Sequence, residues 1–250
     1  MIGSTIHGEK TRLPVGDIRL QADYRLADHN HPAHFIDARQ IVEENNASAN
    51  PKYCLAVAPF SGLNEPLQDL VGLDRLFEAY YEEPGHVKAL IGRLAEAQRE
   101  SFRLLAECGC DGVMIYDDWG LQDRLMISLP MIQEFFGPHY RANWEYAHSL
   151  GMDTWVHSCG YIIELLPLLR EWGLDVIQQD QQENMGLEAL DAVAGGRLAF
   201  WCPVDIQKTM ADGSVDDIRA YVGRMMATLG NHAGGLISKR YRMPKRSAPS

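Results

Sequence analysis

The sequence predicts an α/β fold in which a parallel β-sheet is built from consecutive βαβ units. Short apolar runs alternate along the chain with longer stretches of helical spacing, an alternation typical of parallel sheets. Glycine-bearing turns separate many of these segments, and there is no internal repeat or low-complexity linker. We therefore expect one α/β domain.

Six apolar runs are predicted as strands, and six stretches of helical spacing are predicted as helices. The strands are 53–57, 113–116, 153–157, 174–178, 198–202 and 235–238, and the helices are 64–82, 85–107, 130–149, 161–172, 186–194 and 215–229. Proline at the start of a helix and glycine after its end mark several of these boundaries. A closed barrel of this class needs eight strands. Either the first fifty residues supply the others, or the chain is short of a full barrel.

The regular pattern also divides the chain into three parts. Residues 1–52 form an irregular N-terminal segment, residues 53–241 carry the α/β pattern, and residues 242–250 are a basic tail. The middle part is expected to hold the functional residues.

Composition excludes several function classes. The chain has 250 residues, and its 23 basic and 34 acidic residues give a net charge of −11, which argues against broad binding to nucleic acid or anionic membranes. No apolar run approaches the roughly 20 residues of a membrane span, and the start lacks the features of a secretory signal. Five cysteines make an odd number without disulfide-like density. We expect a cytoplasmic enzyme.

The predicted strand 153–157 ends at a histidine, and a cysteine lies at the start of the loop that follows. His157 and Cys159 are two positions apart, so in an extended segment their side chains lie on the same face. Imidazole and thiolate are half of a Zn²⁺ ligand set, and a catalytic zinc needs a third protein ligand and one open position. The structural alternative is a core histidine beside a buried thiol.

Cys202 is the predicted third metal ligand, because it ends the apolar strand 198–202 at the same level as His157. Asp205 and Gln207 follow on the same loop and are predicted to bind substrate or to support a metal-bound histidine. The alternative for Cys202 is a small buried core residue.

A polar cluster follows the predicted strand 113–116. Asp117 and Asp118 are candidate catalytic residues, because adjacent carboxylates serve as general acid or base, hold a substrate amine, or support metal ligands. Trp119 and Gln122 come next and are predicted to bind substrate. The alternative is a loop in which one aspartate caps the following helix.

These segments together resemble the uroporphyrinogen decarboxylase superfamily, and more closely its corrinoid-dependent methyltransferase-like branch. The resemblance covers residues 53–241. It rests on the stretches 109–112 (GCDG), 117–122 (DDWGLQ), 134–136 (EFF), 156–160 (VHSCG), 179–186 (QDQQENMG), 200–207 (FWCPVDIQ) and 234–237 (GGLI).

The resemblance implies a TIM-type (β/α) barrel and a methyltransferase. It implies that the His-x-Cys pair and a later cysteine hold Zn²⁺, and that a small thiol accepts a methyl group from a methylcorrinoid such as methylcobalamin. In the coenzyme M methyltransferases the later cysteine follows the final Gly-Gly strand, whereas here that place reads Ser238-Lys239-Arg240. Cys202 must then substitute for it, or the site is incomplete.

Two other functions stay open from the sequence. One is a cofactor-free decarboxylase or lyase of the same superfamily, although no Arg-rich N-terminal substrate segment is found. The other is a non-catalytic barrel fragment that binds a corrinoid. A homodimer or a complex with a corrinoid protein is expected, because a six-stranded parallel sheet leaves edges to cover.

Overall fold

The computed structural model describes residues 35–58 and 62–240, and its centre is a parallel sheet of six strands. The strands lie side by side in chain order, β1 to β6. They are β1 Leu55–Val57, β2 Gly112–Tyr116, β3 Asp153–His157, β4 Val176–Gln178, β5 Ala199–Cys202 and β6 Leu236–Ser238. The helices are α1 Ile36–Asn46, α2 Asn64–Val71, α3 Leu73–Glu82, α4 Pro84–Glu107, α5 Leu129–Phe135, α6 Gly137–Ser149, α7 Leu166–Trp172, α8 Leu187–Ala194, α9 Thr209–Asp212 and α10 Val215–Ala227.

At least one α-helix connects every pair of neighbouring strands, so the chain forms consecutive βα units of a TIM-type barrel. The predicted fold class is therefore confirmed. Because all strands run in the same direction, the loops that follow β1 to β5 open at the carboxyl end of the sheet, where (β/α) barrels carry their chemistry.

The two faces of the sheet bury different sets of side chains. The large core lies between the outer face and the helices, and includes Val156, Ile177 and Phe200. A smaller cluster on the inner face contains Leu55, Met114, Trp155 and Val176. This alternation follows from the period of two along a strand, and it determines which side chains can reach the barrel interior.

Two predicted helices are each divided in the structure. The stretch 64–82 is interrupted at Gly72, whose φ of 86° is a backbone conformation that residues with a Cβ rarely adopt. The stretch 130–149 divides into α5 and α6 at Gly137, where a Cβ would lie 2.8 Å from the Trp172 ring. The glycine lets the start of α6 approach α7 closely.

Other elements differ from the sequence-based boundaries. Helix α1 lies in the segment predicted as irregular, and α7 begins at Leu166 rather than near residue 161. Residues 1–34 of the predicted N-terminal segment and the whole predicted basic tail lie outside the described residues. Within residues 35–58 and 62–240, no helix combines the length and apolar character of a membrane span.

Candidate functional site: a metal-binding cluster at the carboxyl end of the sheet

The candidate site begins with a row of side chains that cross the inner face at its carboxyl end. Strand register aligns Tyr116 on β2 with His157 on β3, Gln178 on β4 and Trp201 on β5. Paired residues of neighbouring strands share a face, so these four side chains point toward the barrel interior. The Tyr116 and His157 rings lie 5.2 Å apart between centroids.

Three potential metal ligands meet beside this row. The Cys159 Sγ lies 3.3 Å from His157 Nε2, and Asp118 Oδ1 lies 3.6 Å from the same nitrogen. All three ligand atoms are within 4.8 Å of one another. In the part of the chain that the structure describes, no other group of three or more His, Cys, Asp or Glu side chains converges in this way.

Hydrogen bonds hold two of these ligands in place. The backbone N–H of Cys159 donates to Asp118 Oδ1 over 2.7 Å, which ties the loop after β3 to the loop after β2. His157 Nδ1 bonds the Gln178 side-chain oxygen, so the ring turns its Nε2 toward Cys159 and Asp118. A histidine oriented through its other ring nitrogen is typical of metal sites.

Two glycines allow the same loops to pack closely. A Cβ on Gly160 would lie 2.3 Å from the Gly120 carbonyl oxygen, and Gly160 has a φ of 77°. A Cβ on Gly120 would lie 2.4 Å from the Tyr161 nitrogen. Both residues therefore have to be glycine for Asp118 and Cys159 to approach each other.

The cluster lies in an electronegative environment. Burial raises the pKa of the Cys159 thiol to about 12, and the Asp118 and Asp180 carboxylates add to the shift. Burial likewise raises the pKa of Glu65, at the start of α2, to about 7, and Asp118 contributes to that shift. A bound cation would offset this concentration of negative charge.

The residues present fit a catalytic zinc ion. Nitrogen, sulfur and carboxylate oxygen are the three ligand types that Zn²⁺ uses in proteins, and catalytic sites keep a fourth position open. His157, Cys159 and Asp118 would supply one ligand atom each. Half-buried side chains border the group, so a small ligand can reach it.

Cys202, the predicted third ligand, lies outside this group. The register pairs Trp201, not Cys202, with the row that contains His157, so Cys202 is on the opposite face of the sheet. Its side chain is fully buried in the outer core. Burial raises its pKa to about 12. The prediction placed Cys202 and His157 at the same level because both end a strand. It did not take account of the face, which reverses from one residue of a strand to the next.

Asp117 anchors the fold instead of lining the cavity. Its carboxylate is fully buried and accepts the backbone N–H groups of Leu63, Asn64 and Glu65 at 2.9–3.1 Å. It also accepts the Tyr140 hydroxyl. Burial raises its pKa to about 6, while these hydrogen bonds lower it. Asp117 thus accepts the N–H groups at the start of α2, which precedes it in the chain, and not those of the following helix, as the structural alternative expected.

Two predicted substrate-binding residues also have structural roles. Trp119 is 1% exposed and packs edge-on against Phe136 with ring centroids 4.7 Å apart. Asp205 accepts backbone N–H groups from Gln207 and Thr209 where the chain turns into α9. Although burial raises the pKa of Asp205, these bonds keep it below its ordinary value. Neither residue is positioned to contact a ligand in the cluster.

Gln122 and Gln207 lie on the exposed rim of the mouth. Their side-chain amides are 3.4 Å apart, and Gln122 also donates to Asn184 Oδ1 over 3.0 Å. They connect the loops that follow β2, β4 and β5. This position agrees with a substrate-binding role, which stays a prediction for both.

Sequence reasoning missed the side chains that support His157. Gln178, Asp180 and Lys239 form a hydrogen-bonded row behind it. The resemblance includes residues 179–186 but assigns none of them a role. Glu65 was missed because it follows β1 rather than the strands with conspicuous motifs. One pattern in the sequence could have indicated Asp180. It lies two positions after the last residue of a strand, Gln178, and residues two apart in an extended segment share a face.

Comparison with known proteins agrees with this architecture. The sequence profile described as uroporphyrinogen decarboxylase (URO-D) matches residues 13–238. The chain belongs to the uroporphyrinogen decarboxylase family. A search of curated protein sequences found no significant match.

A solved structure shows the same fold. A methyltransferase from Methanosarcina mazei superposes with a TM-score of 0.64 at 16% identity, over 82% of this chain and 57% of the methyltransferase. The present chain thus spans little more than half the length of that methyltransferase. A 7,8-dihydropteroate synthase from Vibrio fischeri ES114 is less similar, with a TM-score of 0.40 at 13% identity over 58% of this chain and 55% of the synthase.

Proposed function

We propose that this protein transfers a methyl group from a methylcorrinoid to a small thiol, with Zn²⁺ held by His157, Cys159 and Asp118. The observation that carries the proposal is the convergence of these three ligand atoms in a URO-D family barrel. The likeness to a methyltransferase supports methyl transfer as the reaction class. The identities of the acceptor, a small thiol, and of the donor, a methylcorrinoid, are proposed from the sequence resemblance.

The residues of the chain have distinct parts in this reaction. When bound, Zn²⁺ would lower the pKa of an acceptor thiol and leave its sulfur nucleophilic. Glu65 is the proposed proton acceptor, because its pKa of about 7 lets it take a proton near neutral pH. The sulfur–carbon bond forms as the cobalt–carbon bond of the donor breaks, and that electron pair stays with the corrinoid.

The inner face provides the walls around the reacting atoms. Tyr116 and Trp201 share the level of His157 and present aromatic surface. Partial burial of His157, whose side chain is 13% exposed, limits the access of water. The rim amides of Gln122 and Gln207 are the proposed contacts for the polar parts of a substrate.

Decarboxylation of a porphyrinogen fits this mouth less well. Its carboxylates at positions 65, 118 and 180 would repel a substrate that carries several carboxylates. Asp118 could still stabilise a cationic intermediate in a cofactor-free lyase. Metal dependence separates the two reactions, since the lyase needs no zinc.

Metal content and methyl transfer test the proposal together. Purified protein should contain about one Zn²⁺ per chain, and adding a thiol such as 2-mercaptoethanol with methylcobalamin should give the absorbance change of demethylation. Cys159→Ala should lose both properties. Cys202→Ala is the matched control, because it removes a buried thiol from the opposite face, and it should keep its zinc.

Two results would contradict the proposal. Zinc retained in Cys159→Ala would reject the ligand set. Zinc-loaded protein that leaves methylcobalamin unchanged with every thiol tried, while binding it, would favour the non-catalytic alternative.

A further inference from the structure

A row of four hydrogen-bonded side chains crosses the barrel mouth from the end of β6 to β3. Lys239 Nζ donates to both Asp180 carboxylate oxygens over 2.8 Å. Gln178 Nε2 donates to Asp180 Oδ1 over 2.6 Å, and the Gln178 oxygen contacts His157 Nδ1. Asp180 and Gln178 are buried, and the Lys239 side chain is 18% exposed. Such a row is shielded from competing water.

The chemistry of each group dictates the direction of the next hydrogen bond. Lysine can only donate, so both Asp180 oxygens that it contacts act as acceptors. Gln178 must then turn its NH₂ toward Asp180, because its oxygen would face another acceptor if the amide were reversed. The Gln178 oxygen therefore faces His157.

This direction fixes the proton on the imidazole ring. With an acceptor at Nδ1, the neutral His157 ring carries its proton there. Its Nε2 is left with a lone pair directed at the Cys159 sulfur, 3.3 Å away, and the Asp118 carboxylate. Nε2 can bind a metal or accept a proton only in this tautomer, because only here does it carry a free lone pair.

We propose that Lys239 is a positioning residue that sets the tautomer of His157 through Asp180 and Gln178. The ring of Trp201 supports the lysine, with Nζ 5.8 Å from the ring centroid. A residue that follows β6 thereby sets the position of the proton on His157 at the end of β3, three strands away in the sheet. The consequence for metal affinity rests on the function proposed above, whereas the tautomer itself does not.

The direct test is the tautomer of His157 in metal-free protein, read from two-bond ¹H–¹⁵N correlations of ¹⁵N-histidine-labelled samples. Wild type should show the Nδ1–H form. Lys239→Met should shift His157 toward a mixture with the Nε2–H form, and Lys239→Arg should restore the wild-type spectrum. Lys88→Met is the control, because Lys88 pairs with Glu134 on the exposed surface.

Asp180→Asn provides a second comparison and decides the case if Lys239→Met does not fold. An uncharged amide at position 180 can accept or donate, so the orientation of Gln178 is no longer enforced and the tautomers should mix. If Lys239→Met folds and keeps the Nδ1–H form, the proposal is overturned. If Lys239→Met does not fold, an unchanged Nδ1–H form in Asp180→Asn overturns it.

Metal titration gives an independent measure. Zn²⁺ affinity, determined by competition with a chelator, should fall about 10- to 100-fold in Lys239→Met, as for other residues that orient a metal-bound histidine. Equal zinc affinity in Lys239→Met and Lys88→Met would contradict the proposal. If wild type binds no zinc, the proposed function fails while the tautomer comparison still tests the role of Lys239.

Discussion

Replacing Asp117 with alanine should destabilise the fold strongly, because this carboxylate joins three parts of the barrel. It follows β2, accepts three backbone N–H groups at the start of α2, and accepts the Tyr140 hydroxyl from α6. Asp117→Ala leaves these four donors without their acceptor in a site that is fully buried.

The size of the effect can be worked out from these contacts. A buried polar group left without a partner costs about 1–3 kcal/mol, and loss of a helix cap costs about 0.5–2 kcal/mol. Some donors of the α2 turn can be reached by water once the side chain is removed, so the four costs do not add fully. We expect the free energy of unfolding to fall by about 3–5 kcal/mol.

Urea unfolding followed by circular dichroism measures this change. Tyr140→Phe removes only one of the four donors and should cost about 1–3 kcal/mol, as expected for a hydrogen bond to a charged group. The matched control is Asp216→Ala, since Asp216 pairs with Arg219 on the exposed surface of α10. It should change stability by less than about 1 kcal/mol.

The opposite pattern would refute the reasoning. If Asp117→Ala were as stable as Asp216→Ala but lost activity, Asp117 would be a catalytic residue and not an anchor. Parallel loss of stability and activity, with activity recovered in the folded fraction, agrees with the anchoring role.

Three further predictions follow from the site and the core. Trp119→Ala should cost about 3–5 kcal/mol of unfolding free energy, measured by urea denaturation, because Trp119 is 1% exposed and packs against the Phe136 ring. The raised pKa of Glu65 favours its protonated form in the fold, so stability falls as pH rises from 4.5 through about 7. Glu65→Gln should therefore unfold at higher urea than wild type at pH 8 in the presence of a chelator, and the gain should vanish toward pH 4.5. Gly160→Ala should lower stability by about 2–3 kcal/mol and weaken zinc binding in a calorimetric titration, whereas Gly223→Ala, which meets no atom within 4 Å on α10, should do neither.

Much of the fold follows from the sequence because its physical causes are local. All six predicted strands are present, since the apolar runs are short for buried helices and several are bounded by glycine or proline. The divided helices were harder to predict. Gly72 has a positive φ, which a glycine permits. Pro138 lies in the first turn of α6, whereas the contact of Gly137 with the Trp172 ring of α7 is tertiary and has no local pattern.

The site was predictable only in part, for the same reason. His157 and Cys159 are neighbours in one short segment, and their spacing alone predicted a shared face. The roles of Asp117 and Asp118 depend on which face each side chain takes after β2, and the sequence does not distinguish them. Asp118 accepts the Cys159 N–H, whereas Asp117 turns to α2. The contact of Lys239 with Asp180 spans 59 positions, and no local pattern predicts it.

The register of the sheet also limits how this barrel could acquire new chemistry. On each of strands β2 to β6, one residue near the carboxyl end faces the barrel interior, and these residues are 116, 157, 178, 201 and 237. Asp118 and Cys159 lie on the loops beyond them. Cys202 cannot become a ligand by substitution of its neighbours, because its backbone directs it into the outer core. A thiol introduced at position 201 would instead point toward the barrel interior. Substitutions at these five positions would change the wall of the mouth, whereas the strand residues beside them, such as Ile115, Val156 and Ile177, pack into the outer core.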